Sequence, residues 1–567
     1  MQDNNIIDTK RHPPSIKHIS LGYSIFIFIV YALLFSWRHQ DDYNNVFYIV
    51  YLTIPLLLLL SRQFRKTILS SLSDKRLLFL FTLALIARCS LSLFAFAHIN
   101  YHGYTYFRLL GHAHHATLPY GFTYNIFWGP LALLNRIGLL SHDVLFSSNL
   151  LLNISCAYIL FTILRLLLGG GIAPYVGFYL FAVSPIQIRY AATESHFTLV
   201  LFLHLLLITT ACLYRETQEP LFVPTFFLML AFLTFTRPEQ FIIAIPFSLF
   251  LLIYSKIPLK ELLFYLTCYA LIIAVPFYEP LQRTWPMFMA DAQTHPGSIR
   301  MNWKNIIFPF SNTLYSNNHL LIPTYLMAIP GFIYGILGQK TRRFALGLFA
   351  LYLFFNIPLS YKVFNGYFIA YLYSSYWEYI PIIFCCFFIH FIYSKYGGTI
   401  SILLTLTLTL LPYTNYIKIT EKYDEQIEYE FIKKHYKNEY GKIGLLRGSH
   451  VFPFNPSLYG ELFQNLTPIR FSAIIGKTDA AEFCFPAPND KFSVYFRSLS
   501  HGFRQQDEEL SRQGFIPIDI KHFIFKQRYP SYPQGTPLTI GFYRYTRPHS
   551  ASPKNAEPDR GNDAIEN

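Results

Sequence analysis

The chain has 567 residues, 53% of them hydrophobic and 18% aromatic, and only 14% charged, against roughly a quarter charged in a soluble domain. That deficit excludes a soluble protein throughout its length. The net charge of +14 does not indicate a nucleic-acid partner, because Lys and Arg gather in short segments between apolar runs, the pattern that sets orientation in a membrane.

Residues 1–20 are polar, and no small-residue cleavage site follows the first apolar run. They read as a cytoplasmic N-terminal segment ahead of an uncleaved anchor. Apolar runs then recur from Leu21 to Leu411. The length a helix needs to cross a bilayer predicts about thirteen spans. They fall near 21–37, 46–61, 77–97, 143–164, 172–188, 197–213, 222–235, 240–253, 262–278, 319–337, 344–360, 378–393 and 399–413. The expected fold is an all-α polytopic membrane domain over 21–413, with a small C-terminal α/β extracytoplasmic domain over 414–547.

Orientation follows from charge. With the N-terminus inside, the inner segments hold sixteen Lys and Arg, from Lys10 to Lys395. The outer segments before the C-terminal domain hold nine in about twice the length, which favours this orientation. Segments 98–142 and 279–318 then become outer loops, Arg237-Pro238-Glu239 turns outside, and an odd span count puts the C-terminal domain outside. Trp37, Trp128, Trp285, Trp303 and Trp377 all fall at the outer side. They suit an aromatic belt at the headgroups or sugar stacking near a site.

The C-terminal part opens with a helical stretch, Tyr423–Tyr436. Strand patterns follow at Ile443–Leu446, Ile469–Ile475, Phe492–Phe496, Phe515–Phe525 and Leu538–Tyr545. Residues 548–567 are polar with Pro and Gly and read as a disordered tail. Six of the seven cysteines lie in apolar runs, Cys484 stands alone in the polar domain, and no CxxC spacing points to structural zinc.

Four groups could carry chemistry. Arg88 lies mid-span, where an arginine pairs or lines a polar cavity. The segment His98–Arg108, with Asn100, His102 and Tyr104, continues through His112, His114 and His115 to Trp128. It fits a helix on the membrane surface better than a metal site, because the histidines lack helical pair spacing and an acid. Glu194 opens the span after Ser184-Pro185, where an acid also suits a helix N-terminus. Arg237 and Glu239 open another span, and an arginine at headgroup depth can grip a phosphate with two parallel bonds.

A mid-span arginine, a long aromatic outer loop, Ser-Pro before Thr193-Glu194, and Thr236-Arg237-Pro238-Glu239 occur in that order. The set resembles the GT-C superfamily of membrane glycosyltransferases, closest to its protein O-mannosyltransferase-like and aminoarabinose-transferase-like branch, over roughly 77–390. The resemblance implies transfer of a sugar from a polyprenyl-phosphate carrier to a glycan, lipid or protein acceptor on the outer face. Membrane lipid is a further expected partner, and the lack of disulfide-ready cysteines with the compact size points to a bacterial inner membrane as the expected location. Two departures stand out. Asn100, Tyr101 and His102 occupy the place of the family's loop acid, and no acid occurs between Asp74 and Asp143. Tyr376-Trp377-Glu378-Tyr379 stands where many relatives carry an arginine.

Glu194 and His102 are therefore the candidate bases, and Glu194 could instead hold a divalent metal. Arg237, Glu239, Arg88, Asn100, Tyr104 and Trp128 are the candidate substrate contacts. The alternative is a catalytically inactive relative that binds lipid-linked glycan as an assembly or flippase component.

Overall fold

The computed structural model describes residues 14–37, 53–95, 142–191, 197–236, 240–294, 322–360 and 376–410. Towards the C-terminus it describes 442–447, 466–470, 492–499, 510–512, 514–524 and 537–545, with a few single residues between. The chain divides into two compact units, 1–426 with 527–533, and 427–526 with 534–567.

The first unit is helical. Its elements are α1 (Pro14–Ser36), α2 (Arg62–Leu72), α3 (Lys75–Ala95), α4 (His142–Leu168), α5 (Ala173–Val183), α6 (Pro185–Ala191) and α7 (Phe197–Thr217). Then come α8 (Phe222–Thr236), α9 (Gln240–Ser255), α10 (Leu259–Thr294), α11 (Ile322–Leu337), α12 (Arg342–Ser360), α13 (Tyr379–Tyr396) and α14 (Gly398–Leu410). Among the described residues, five helices are long and apolar enough to cross a membrane: Ile16–Ser36, Ser147–Leu168, Thr198–Thr217, Leu259–Tyr278 and Tyr379–Tyr396. Five more are apolar but shorter.

Helix α8 lies at the centre. Every one of its residues is buried, as expected of a helix that is apolar all round, and it packs against α7, α9 and α10. Helices α11 and α13 approach most closely. A Cβ on Gly331 would lie 1.7 Å from the Phe384 carbonyl oxygen, and one on Gly335 would lie 2.7 Å from the Phe387 ring. This Gly-x-x-x-Gly stripe lets the two backbones meet, a device suited to helices in lipid.

Three sequence expectations are revised. The span at 172–188 is two helices, because Pro185 has no N–H to continue the ladder and its ring pushes Ser184 into an extended conformation; Ser184 has ψ 125°. The outer segment 279–318 begins as helix, since α10 continues to Thr294. Helix α1 begins at Pro14, inside the segment expected to precede the first span; proline is well placed in a first turn.

One end of the bundle gathers the basic residues, and cross-helix contacts tie it together. Lys17 of α1 pairs with Glu261 of α10 at 3.1 Å. Ser61 donates to Glu219 at 2.8 Å and also caps α2 through the Phe64 N–H. Tyr175 donates to Asp74 at 2.6 Å. Burial pushes the Asp74 carboxyl up. The Tyr175 hydroxyl, the Leu77 and Arg76 N–H groups and the Arg165 charge together outweigh that, and hold it below the ordinary carboxylate range. Arg215 reaches the Tyr254 carbonyl at 3.2 Å.

The second unit holds a five-stranded sheet of β1 (Lys442–Arg447), β2 (Leu466–Arg470), β3 (Phe492–Leu499), β4 (Phe515–Ile524) and β5 (Pro537–Tyr545), in the order β2-β1-β3-β5-β4. Strand β1 runs parallel to β2 and β3, and β5 runs antiparallel to β3 and β4. A Cβ on Gly541 would lie 2.6 Å from the Tyr543 ring, so a larger residue there would displace that ring. The Tyr543 hydroxyl donates to Asp507 at 2.8 Å. Burial, and then the Asp507 carboxylate, hold that hydroxyl well above its ordinary range.

Candidate functional site

Opposite the basic end, the bundle seals a charged relay into its interior. Arg88, in the second half of α3, is 2% exposed. Its Nε and Nη2 donate to Asn153 Oδ1 of α4 at 3.2 and 2.9 Å, and Nη1 donates to the Ala182 carbonyl. That carbonyl sits in the last turn of α5, where the break at Ser184 interrupts the helix. Asn153 Nδ2 donates to Gln187 Oε1 of α6 at 3.1 Å. Gln187 Nε2 donates to Glu378 Oε2 at 2.9 Å, and Ser184 Oγ donates to Glu378 Oε1 at 2.6 Å. All five side chains are buried.

The order of atoms explains why the relay is stable. Both amides present oxygen towards the guanidinium and nitrogen towards the carboxylate, so their dipoles align in series between opposite charges. A lone buried charge costs several kcal/mol. Here each charge has hydrogen-bond partners, and Glu378 also sits at the N-cap of α13, where a helix favours an anion.

A second polar contact lies beside the first. His204 Nε2 of α7 meets Gln240 Oε1, the first residue of α9, at 3.0 Å. The His204 ring stacks on Phe355 at 5.1 Å and lies 6.2 and 6.3 Å from the Tyr376 and Tyr379 rings. Residues 376–379 therefore touch both polar groups, with Glu378 in the relay and its tyrosine neighbours against His204. Thr236 and Gln240, the described residues on either side of Arg237-Pro238-Glu239 in the chain, are both buried.

Of the residues expected from sequence to carry chemistry, Arg88 is described. Its guanidinium is turned into the bundle and engaged there, so it acts by holding helices together. Glu194, His102, Arg237, Glu239, Asn100, Tyr104 and Trp128 lie outside the described residues, as does the 98–128 segment. Among the described residues, no group of three or more His, Cys, Asp and Glu could hold a metal. Sequence reasoning missed Asn153, Gln187, His204 and Gln240 and gave Glu378 no role. The available signal was a polar side chain at span depth, the same signal that singled out Arg88.

These features define a class: a bundle of helices apolar enough to cross a bilayer, with basic residues at one end and a buried charge relay at the other. No known protein family, curated protein or solved structure matches the chain.

Proposed function

We propose that this chain is an integral membrane glycosyltransferase that moves a sugar from a polyprenyl-phosphate carrier to an acceptor at the relay end of the bundle. In this reading the chain crosses a bacterial inner membrane about thirteen times. The basic end faces the cytoplasm, and the relay end and the second unit face outside. The observation that carries it is the gathering of Arg88, Glu378, His204 and Gln240 at the end opposite the basic residues, with Gln240 following Arg237-Pro238-Glu239 directly in the chain. A base, Glu194 or His102, takes the acceptor hydroxyl proton. The oxygen attacks the anomeric carbon, the bond to the carrier phosphate breaks, and Arg237 stabilises the charge left on that phosphate.

One observation favours the second reading, a non-catalytic binder of lipid-linked glycan. No acid occurs between Asp74 and Asp143, and both Glu378 oxygens already accept hydrogen bonds. Transfer of labelled sugar by the purified chain in proteoliposomes separates the two. Turnover that falls in Glu194→Gln or His102→Gln supports the enzyme. No turnover with any polyprenyl-phosphate sugar supports the binder.

A further inference from the structure

At the basic end, three cations converge on the last turn of α9. Arg215, in the last turn of α7, donates through Nη1 to the Tyr254 carbonyl at 3.2 Å. The Tyr254 ring meets the Phe344 ring edge-on at 5.2 Å, and both rings contact the Phe250 ring. That aromatic platform fixes Arg343, the exposed residue before Phe344 in the first turn of α12. Lys256, also exposed, follows the last residue of α9 directly.

Taken alone, this arrangement is unfavourable. Repulsion from Arg343, and then from Arg215, holds the Lys256 ammonium below its ordinary range, with burial adding least. Arg342 and Arg343 sit at the positive end of α12, where a helix favours an acid and none is present. Lys256 has φ 55°, a left-handed conformation that glycine adopts at a helix end without strain. Among the described residues, no carboxylate lies within ion-pair reach of Lys256 or Arg343. Glu216, beside Arg215 in the chain, is directed at Lys340, 4.0 Å away. Setting orientation needs basic residues on this side, but it does not need three of them to meet from separate elements. An apolar lane leads to the same point. Ile242, Ile245, Leu249 and Ile253 are exposed, recur at helical spacing along α9, and end one turn before Lys256.

We propose that Arg215, Lys256 and Arg343 bind the phosphate of an acidic phospholipid, with an acyl chain lying along the exposed stripe of α9. A phosphate presents oxygens in several directions, so one group can meet cations from three elements. Its charge offsets the repulsion among them and ties the ends of α7, α9 and α12 together. A zwitterionic lipid brings its own ammonium group, which cancels much of the attraction. A free phosphate has no chain for the α9 stripe. The site lies at the end opposite the relay, and it stands whether or not the chain uses a lipid-linked sugar.

The test is lipid titration of the full-length chain in detergent, read by native mass spectrometry and by melting point. The probes are phosphatidylglycerol, phosphatidylcholine with the same acyl chains, and inorganic phosphate. Wild type should hold phosphatidylglycerol about tenfold tighter than phosphatidylcholine, and inorganic phosphate at equal concentration should not displace it. Lys256→Gly and Arg343→Gln should each cut that preference about fivefold, the weight of one basic residue at a charged membrane surface. Without lipid, Lys256→Gly should melt no lower than wild type, because it relieves both the repulsion and the strained φ. A merely structural lysine would give a loss instead. Lys66→Gln, which removes an exposed cation of α2 outside the cluster, should leave the preference unchanged. Equal binding of the two lipids, displacement by inorganic phosphate, an equal loss in Lys66→Gln, or a lower lipid-free melting point for Lys256→Gly overturns the inference.

Discussion

Gln187 Nε2 donates to Glu378 Oε2 at 2.9 Å, and that bond joins two helix starts that lie 191 residues apart. Through Asn153 it also connects the Glu378 carboxylate to the Arg88 guanidinium, although those two groups share no hydrogen bond. We predict energetic coupling without contact. Arg88→Met and Glu378→Gln should each destabilise the chain by about 2–4 kcal/mol, since each removes one of the two opposite buried charges that the relay joins. The double variant should lose less than the sum, with a coupling of about 1–2 kcal/mol. Thermal unfolding of the four proteins in one detergent measures it, and additive losses would show that the relay transmits nothing.

Gly331 gives a packing prediction. Gly331→Ala drives a methyl group into the Phe384 backbone carbonyl, and backbone cannot rotate aside as a side chain can. The α11–α13 contact should weaken by more than about 2 kcal/mol. Gly22→Ala is the control: nothing lies within 4 Å of the added carbon, so it should be neutral or stabilising by up to about 1 kcal/mol. Similar melting points for the two variants would contradict the close approach.

The sidedness of the bundle gives a third prediction. Alkaline phosphatase fused after Tyr413 should be active in a bacterial host, because the odd span count and the positive-inside charge pattern of the proposed reading put the chain outside after α14. An inactive phosphatase there, with an active cytoplasmic reporter at the same site, would reverse the topology and move the relay to the inner face.

How much was legible in sequence depended on the range of the interaction. Alternating apolar residues marked β3 and β5 closely, because strand periodicity is local. Arg88 was legible as a mid-span charge, because about ten apolar residues flank it on either side. Its partner was not. Asn153 lies 65 residues away, and nothing in the sequence says which face of α4 meets α3. Ser184-Pro185 was visible as a pair, but its effect was missed: the break opens the Ala182 carbonyl to Arg88 and aims Ser184 at Glu378. Glu378 was visible at a span start, yet its stabilisation depends on partners from another helix pair. The Gly331–Gly335 stripe was overlooked because an apolar-run count treats glycine as filler.

The enzyme and binder readings share one requirement, a carrier phosphate held by Arg237, so carrier binding by Arg237 variants tests the central claim most directly. Equilibrium binding of polyprenyl phosphate to the purified chain should weaken by about 1.5–3 kcal/mol in Arg237→Ala, the worth of hydrogen bonds to a charged group. Arg237→Lys should fall between that variant and wild type, because it keeps the charge and loses the planar fork. Wild-type affinity in a well-folded Arg237→Ala would contradict the assignment of this end of the bundle to a lipid-linked phosphate.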